Sequence, residues 1–348
     1  MDRRKFIKTA SIAGIAGVAG CSELGGGGDD EEFPSEDVTV VHPYGPASSP
    51  AGLSLLIQDI INEEDLLPVD IRTEERTGGG GIIGYNSVAD AEDGHTISDA
   101  VTPSMLLKPF ESEEAQYDPR ELTYVASGSE DIQTMAVPTD SEIETAQDYV
   151  DALIDGAQFS AVSQTSSLVV LLMAMGDETD LYDPGIVLDR LVTFGIGETA
   201  AAAIRGDVAL AGLDLSVVAN FVEDDELRIV GFFTGDDGLP DRAQDVAPDA
   251  DTLDDLGLSS SQIETVTGSY PQNITNAWFG PPEMTDEAQS TLEDAWREAI
   301  ESDTYESEVI DRNLGQPNFR PGDEVEEIVT NAYNQWDDRD ELTQLWRE

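Results

Sequence analysis

The chain has 348 residues, of which 73 are Asp or Glu and 17 are Lys or Arg, for a net charge of −56. An apolar share of 39%, recurring in structured patterns, excludes a disordered acidic chain, which could not bury enough surface to fold. The lack of a basic patch excludes nucleic-acid binding, and the single cysteine excludes an internal disulfide. The charge fits a folded body adapted to molar salt, where the screening length is about 3 Å and surface carboxylates barely repel one another. Beyond the first residues Lys108 is the only lysine, and the other bases are arginines.

The chain opens Met1-Asp2-Arg3-Arg4-Lys5-Phe6-Ile7-Lys8, which looks like a twin-arginine export signal. Thr9 to Gly20 is small and apolar, and too short for a span of roughly 20 residues. Residues 1–20 therefore read as a cleavable signal. Small residues before Cys21 resemble a lipoprotein processing site, so Cys21 is the expected lipidation point. Residues 21–36 carry Gly25 to Gly28 and then Asp29, Asp30, Glu31 and Glu32, the composition of an extended tether.

The remainder is long enough for two medium domains. β-branched runs alternate with amphipathic stretches, the pattern of an α/β protein. Strands are predicted at Val38–His42, Val69–Thr73, Leu122–Ser127, Gln158–Ala161, Leu191–Phe194, Val208–Gly212 and Leu227–Phe233. Helices are predicted at Ala51–Asn62, Ile82–Ala91, Thr145–Ile154, Ser166–Met175 and Gly197–Arg205. In the last third Thr285 can cap a helix with Leu292 and Trp296 on its apolar face, and Asp323 another with Val325, Val329 and Trp336.

Gly79-Gly80-Gly81-Ile82-Ile83-Gly84 formally matches a dinucleotide fingerprint, with Asp99 downstream, but a lone match is weak. Its physical content is general: glycines admit a ligand to the backbone, and a helix N-terminus offers N–H groups to an anion. Three more strand-to-helix junctions share this character, at Pro43 to Pro50, Ser163 to Ser167 and Gly195 to Thr199. Ligands of open α/β sheets bind at such strand ends, so the four junctions together suggest one cleft. The only histidines are His42 and His95, no G-x-S-x-G elbow is present, and no His/Cys cluster has metal spacing. No catalytic activity, metal or cofactor is expected.

The order of these motifs resembles the substrate-binding receptors of tripartite tricarboxylate transporters, the Bug receptors, here as a lipoprotein of haloarchaeal type. The carrying residues are Pro43-Tyr44, Thr77 to Gly84, Asp93-Gly94-His95-Thr96-Ile97, Tyr117-Asp118-Pro119, Arg205-Gly206-Asp207-Val208, Trp278 to Pro282 and Phe319-Arg320-Pro321-Gly322. Two stretches depart from that pattern: Ser48, Ser49 and Pro50 replace a Gly-Gly pair and aspartate, and Phe194-Gly195 replaces a Tyr-Lys-Gly element.

The resemblance implies a two-domain clamshell of the type II periplasmic-binding-protein class. Domain I would be residues 37–137 with 260–348, and domain II residues 138–259. A small organic anion would be held by backbone amides, hydroxyls and water. The expected ligand residues are Tyr44, Ser48, Ser49, Gly80, Gly81, Ile82, Ser163, Ser166, Gly197, Thr199 and Asp214, the last by family analogy alone. Arg76 and Arg205 are candidate countercharges. The expected partners are transporter membrane subunits, with a monomeric receptor anchored at the outer face of the membrane.

Overall fold

The computed structural model describes residues 33–46, 48–179, 181–195, 197–267 and 274–347. The expected signal, Cys21 and the tether as far as residue 32 lie outside the described residues.

β1 (Val38–His42) feeds α1 (Ser49–Glu63), β2 (Ile71–Glu75) feeds α2 (Ile82–Ala89), and β3 (Thr96–Thr102) feeds α3 (Ser104–Glu111). β4 (Thr123–Asp131) and β5 (Thr134–Pro138) follow almost without a break. Next come α4 (Ala146–Asp155), β6 (Phe159–Ala161), α5 (Ser167–Thr179), α6 (Gly185–Arg190) and β7 (Leu191–Thr193). α7 (Thr199–Ile204), β8 (Leu210–Ala211), α8 (Leu215–Glu223) and β9 (Leu227–Phe232) continue the alternation. α9 (Asp241–Val246) and α10 (Ser260–Thr267) precede β10 (Ile274–Gly280), α11 (Asp286–Ile300) and α12 (Asp303–Asp311). β11 (Gln316–Pro321), α13 (Gly322–Asp337) and α14 (Asp340–Gln344) end the chain.

The strands form two mixed sheets, ordered β11-β4-β10-β3-β1-β2 and β7-β6-β8-β5-β9. In the first, β1 lies parallel between β2 and β3, and β10 runs antiparallel between β3 and β4. In the second, β6 lies parallel between β7 and β8, and β5 is antiparallel to β8 and β9. Each parallel βαβ unit turns its strand ends toward a helix N-terminus, which is what places the site.

Local chemistry explains the elements. Ser48 caps α1 by accepting from the Ala51 amide, with Pro50 in the first turn. Thr145 and Asp148 form a capping box on α4, and Gly156 closes that helix with φ 109°. One face of the first sheet packs on α1, α11 and α12 through Leu53, Ile57, Trp278, Leu292, Trp296 and Tyr305. Its other face packs Tyr85, Tyr124 and Phe279 with Val325 and Val329 of α13. A third core joins the lobes: Phe110, Tyr333, Trp336 and Trp346 share it with Leu168 to Met175 of α5. Both sheets thus belong to one compact body.

β5 pairs with β8 and β9 of the second sheet, and α10 packs on α5. Asp323 is not a cap: α13 starts at Gly322 behind Pro321, and Asp323 sits in its first turn. β3, β5, β10 and β11 had no predicted counterpart.

Candidate functional site

A cavity of about 460 Å³ opens where the strand ends of the two sheets face each other. That volume suits a small organic molecule. From the first lobe it is lined by Tyr44, Ser48, Ser49, Gly80, Gly81, Ser104 and Asn276; from the second, by Ser163, Ser166, Ser167, Gly197, Thr199, Asp214 and Phe221. Among the expected ligand residues only Ile82 is absent from the wall; it is buried beneath the glycine loop. Ser104, Gln133, Phe221 and Asn276 were not anticipated. Ser104 and Asn276 belong to segments with no predicted element, so nothing local marked them.

The loop between β2 and α2 brings backbone into the cavity wall. Gly78, Gly79, Gly80 and Gly81 have φ of 132°, 58°, 64° and 103°, a left-handed run that side chains resist. A Cβ on Gly81 would meet the Tyr85 ring at 2.9 Å and Tyr44 at 3.3 Å. The loop uses two of its amides internally, since Gly81 N–H donates to Gly78 O and Ile82 N–H to Gly79 O. Of the three amides expected to meet a ligand, the one without a partner among the described residues is that of Gly80. Tyr44 closes this corner; its hydroxyl accepts from Tyr85 at 3.0 Å and lies 3.4 Å from Ser104 Oγ. Burial raises the Tyr44 pKa, so the group stays a neutral hydroxyl.

Opposite the loop, Ser163 and Ser166 form the turn into α5, with Ser163 N–H donating to Ser166 Oγ at 2.9 Å. Asp214 precedes α8 and is the only carboxylate in the wall among the described residues. Burial, reinforced by the charge of Asp131, pushes its carboxyl up to about 8. Asp131 is fixed by the amides of Ile132 at 2.8 Å and Ser216 at 3.2 Å, while Asp214 has no side-chain bond to its own helix. At neutral pH Asp214 therefore presents an O–H donor to the cavity, which can meet an anion without repelling it.

Two side-chain groupings among the described residues lie outside the wall. Below the site His42 Nδ1 donates to Asp99, Ser54 Oγ donates to the same oxygen at 3.1 Å, and Trp278 Nε1 donates to Ser54 at 2.8 Å. The carboxylate lies between hydroxyl and imidazole, so the imidazole does not face the serine as a Ser–His relay requires. The same bonds remove Asp99 from any nucleotide role. Glu36, Asp93 and His95 cluster at the surface. Ser35 N–H donates to His95 Nε2, which turns Nδ1 toward Asp93 at 3.4 Å.

The expected countercharges are elsewhere. Arg76 pairs with Glu74 at 3.0 Å and Arg205 with Asp207 at 2.8 Å, both outside the cavity. No lysine or arginine lies in the wall among the described residues.

Two lobes of mixed α/β sheet, facing strand ends and a cavity of amides and hydroxyls define a solute-binding protein of the periplasmic type. The model of the tripartite tricarboxylate transporter family receptor matches residues 62–337, and the chain belongs to that family. It is a receptor and not an enzyme. Among solved structures, an adipate-bound protein from Rhodopseudomonas palustris superposes with a TM-score of 0.71 at 16% identity, covering 90% of this chain and 99% of that one. MatC from the same organism, with bound malate, gives 0.69 at 17% identity, covering 89% and 100%. A ligand-free solute-binding protein from Polaromonas gives 0.66 at 13%, covering 90% and 98%. No curated protein matches the chain.

Proposed function

We propose that this receptor captures a small organic di- or tricarboxylate outside the cell and delivers it to the membrane subunits of a tripartite tricarboxylate-type transporter. The observation that carries the reading is the wall itself: an unbonded Gly80 amide, hydroxyls of Ser48, Ser49, Ser163 and Ser166, and a neutral Asp214. These are donors suited to carboxylate oxygens. The malate and adipate of the two R. palustris relatives support the same ligand class. One ligand carboxylate sits against Gly80 and Ser48 on the first lobe. The second lobe closes with Ser163, Ser166 and Thr199, and Asp214 donates to the far end.

Anchoring through Cys21 after twin-arginine export fits the first residues, and would tether a monomer at the outer face of the cytoplasmic membrane. A thermal-shift screen in molar salt against malate, adipate, citrate, amino acids and aromatic acids tests the ligand class. Binding to the native state adds about 2.7 kcal/mol at a hundredfold excess over Kd, so a cognate acid raises Tm visibly. A shift with amino acids and none with the carboxylates would overturn the reading.

A further inference from the structure

Lys108 is the only lysine after the chain's first eight residues, yet it is 1% exposed. Burying an ammonium is strongly unfavourable unless it is paired. Its Nζ meets Glu111 Oε2 at 2.6 Å, one turn further along α3. The same oxygen accepts from Thr165 Oγ1 of the second lobe at 3.0 Å. On its other side the ammonium abuts the glycine loop: a Cβ on Gly80 would stand 2.9 Å from Nζ, and no atom of Glu111 comes within 4 Å of that point. The cation therefore touches the backbone that forms the cavity wall without entering the wall itself.

We propose that Lys108 is the countercharge of the ligand site, acting through the loop at Gly80 and making the cleft select an ionised carboxylate over its uncharged amide. The sign follows from two differences between the paired groups. The ammonium is the nearer end of the pair to Gly80. It is also buried, whereas the Glu111 side chain is 22% exposed and so more strongly screened by salt. An anion on the cleft side of Gly80 thus meets a net positive field. A buried pair of this kind also reconciles anion binding with a very acidic surface, because the local charge is shielded from bulk ions and the distant charges are not. Thr165 extends the pair to the other lobe through Glu111, the partner of the group that senses the ligand charge.

The inference rests on the carboxylate reading of the cleft, and calorimetry of the intact chain in molar salt separates the two. Adipate, malate and any other carboxylate that raises Tm are titrated beside their amides into wild type, Lys108→Met, Lys108→Arg and Lys108→Gln. Lys108→Met is expected to weaken the preferred anion about tenfold or more while its amide changes little. Lys108→Arg keeps the preference. Lys108→Gln, which keeps a donor toward Glu111 without the charge, loses it as Lys108→Met does. A purely structural pair would weaken acid and amide alike, and that result overturns the proposal. If Lys108→Met does not fold, Lys108→Gln decides: an acid-over-amide preference equal to that of wild type overturns it. Wild-type affinity for no carboxylate of the thermal-shift screen would sink the cleft reading and this inference together; wild-type binding with no effect of Lys108→Met or Lys108→Gln sinks the inference alone.

Discussion

Asp214 places a titrating group in the wall of an anion site, so pH acts on it directly. Its carboxyl is held up to about 8 by burial first and by Asp131 second. Below that value it donates to a ligand carboxylate, and above it repels one. Binding should fall as pH rises through about 8, and Asp214→Asn should keep the affinity seen near neutrality and lose the fall. Linkage gives the stability its sign. A folded-state pKa raised from about 3.9 favours the folded state fully below that unfolded value, and the contribution is lost as pH rises toward the folded value. The wild-type Tm should therefore drop between about pH 4 and pH 8 by more than that of Asp214→Asn. Parallel pH profiles of the two proteins would dismiss the assignment.

At the scale of elements, Ser54 ties three of them into one unit. It sits in α1, accepts from Trp278 of β10 and donates to Asp99 of β3. Ser54→Ala leaves the buried indole N–H of Trp278 without its partner and the Asp99 oxygen with His42 alone. Denaturant unfolding should show a loss of about 1–3 kcal/mol with an unchanged slope. β1 was readable because Val38, Val40 and Val41 are β-branched and end in a proline turn. β3 was not: Thr96 to Thr102 contains Ser98 and Asp99, polar residues buried only because His42, Ser54 and backbone carbonyls satisfy them. β10 alternates no better, since a strand inside a sheet covered on both faces buries every residue. The glycine junctions marked the site because φ above zero is a local demand that shows in composition. Lys108 left no such trace. Its approach to Gly80, and the bond of its partner Glu111 to Thr165, are made by tertiary packing, so Arg76 and Arg205 looked the better cations and turned out to serve neighbouring acids.

For the whole molecule the dominant fact is charge. The surface arginines pair locally, as in Arg297 with Glu293 and Arg312 with Glu308, and most carboxylates have no cation to meet. At about 0.01 M salt the screening length grows to about 30 Å, and repulsion then acts across the whole body. Dialysis from molar salt into dilute buffer should abolish the cooperative thermal transition followed by circular dichroism; an unaltered melt would reject salt adaptation. The route of the chain adds a different constraint, one of time. β10 lies between β3 and β4, yet it is the tenth strand to be made. Every strand of the second sheet leaves the ribosome before β10 does. During synthesis the inserted lobe can complete its sheet while the lobe that opened the chain still waits for its central strand. Assembly of the receptor is thus gated by a late, long-range pairing, the slow kind of step in folding, and a nascent chain stopped short of Ile274 holds a gap where β10 belongs.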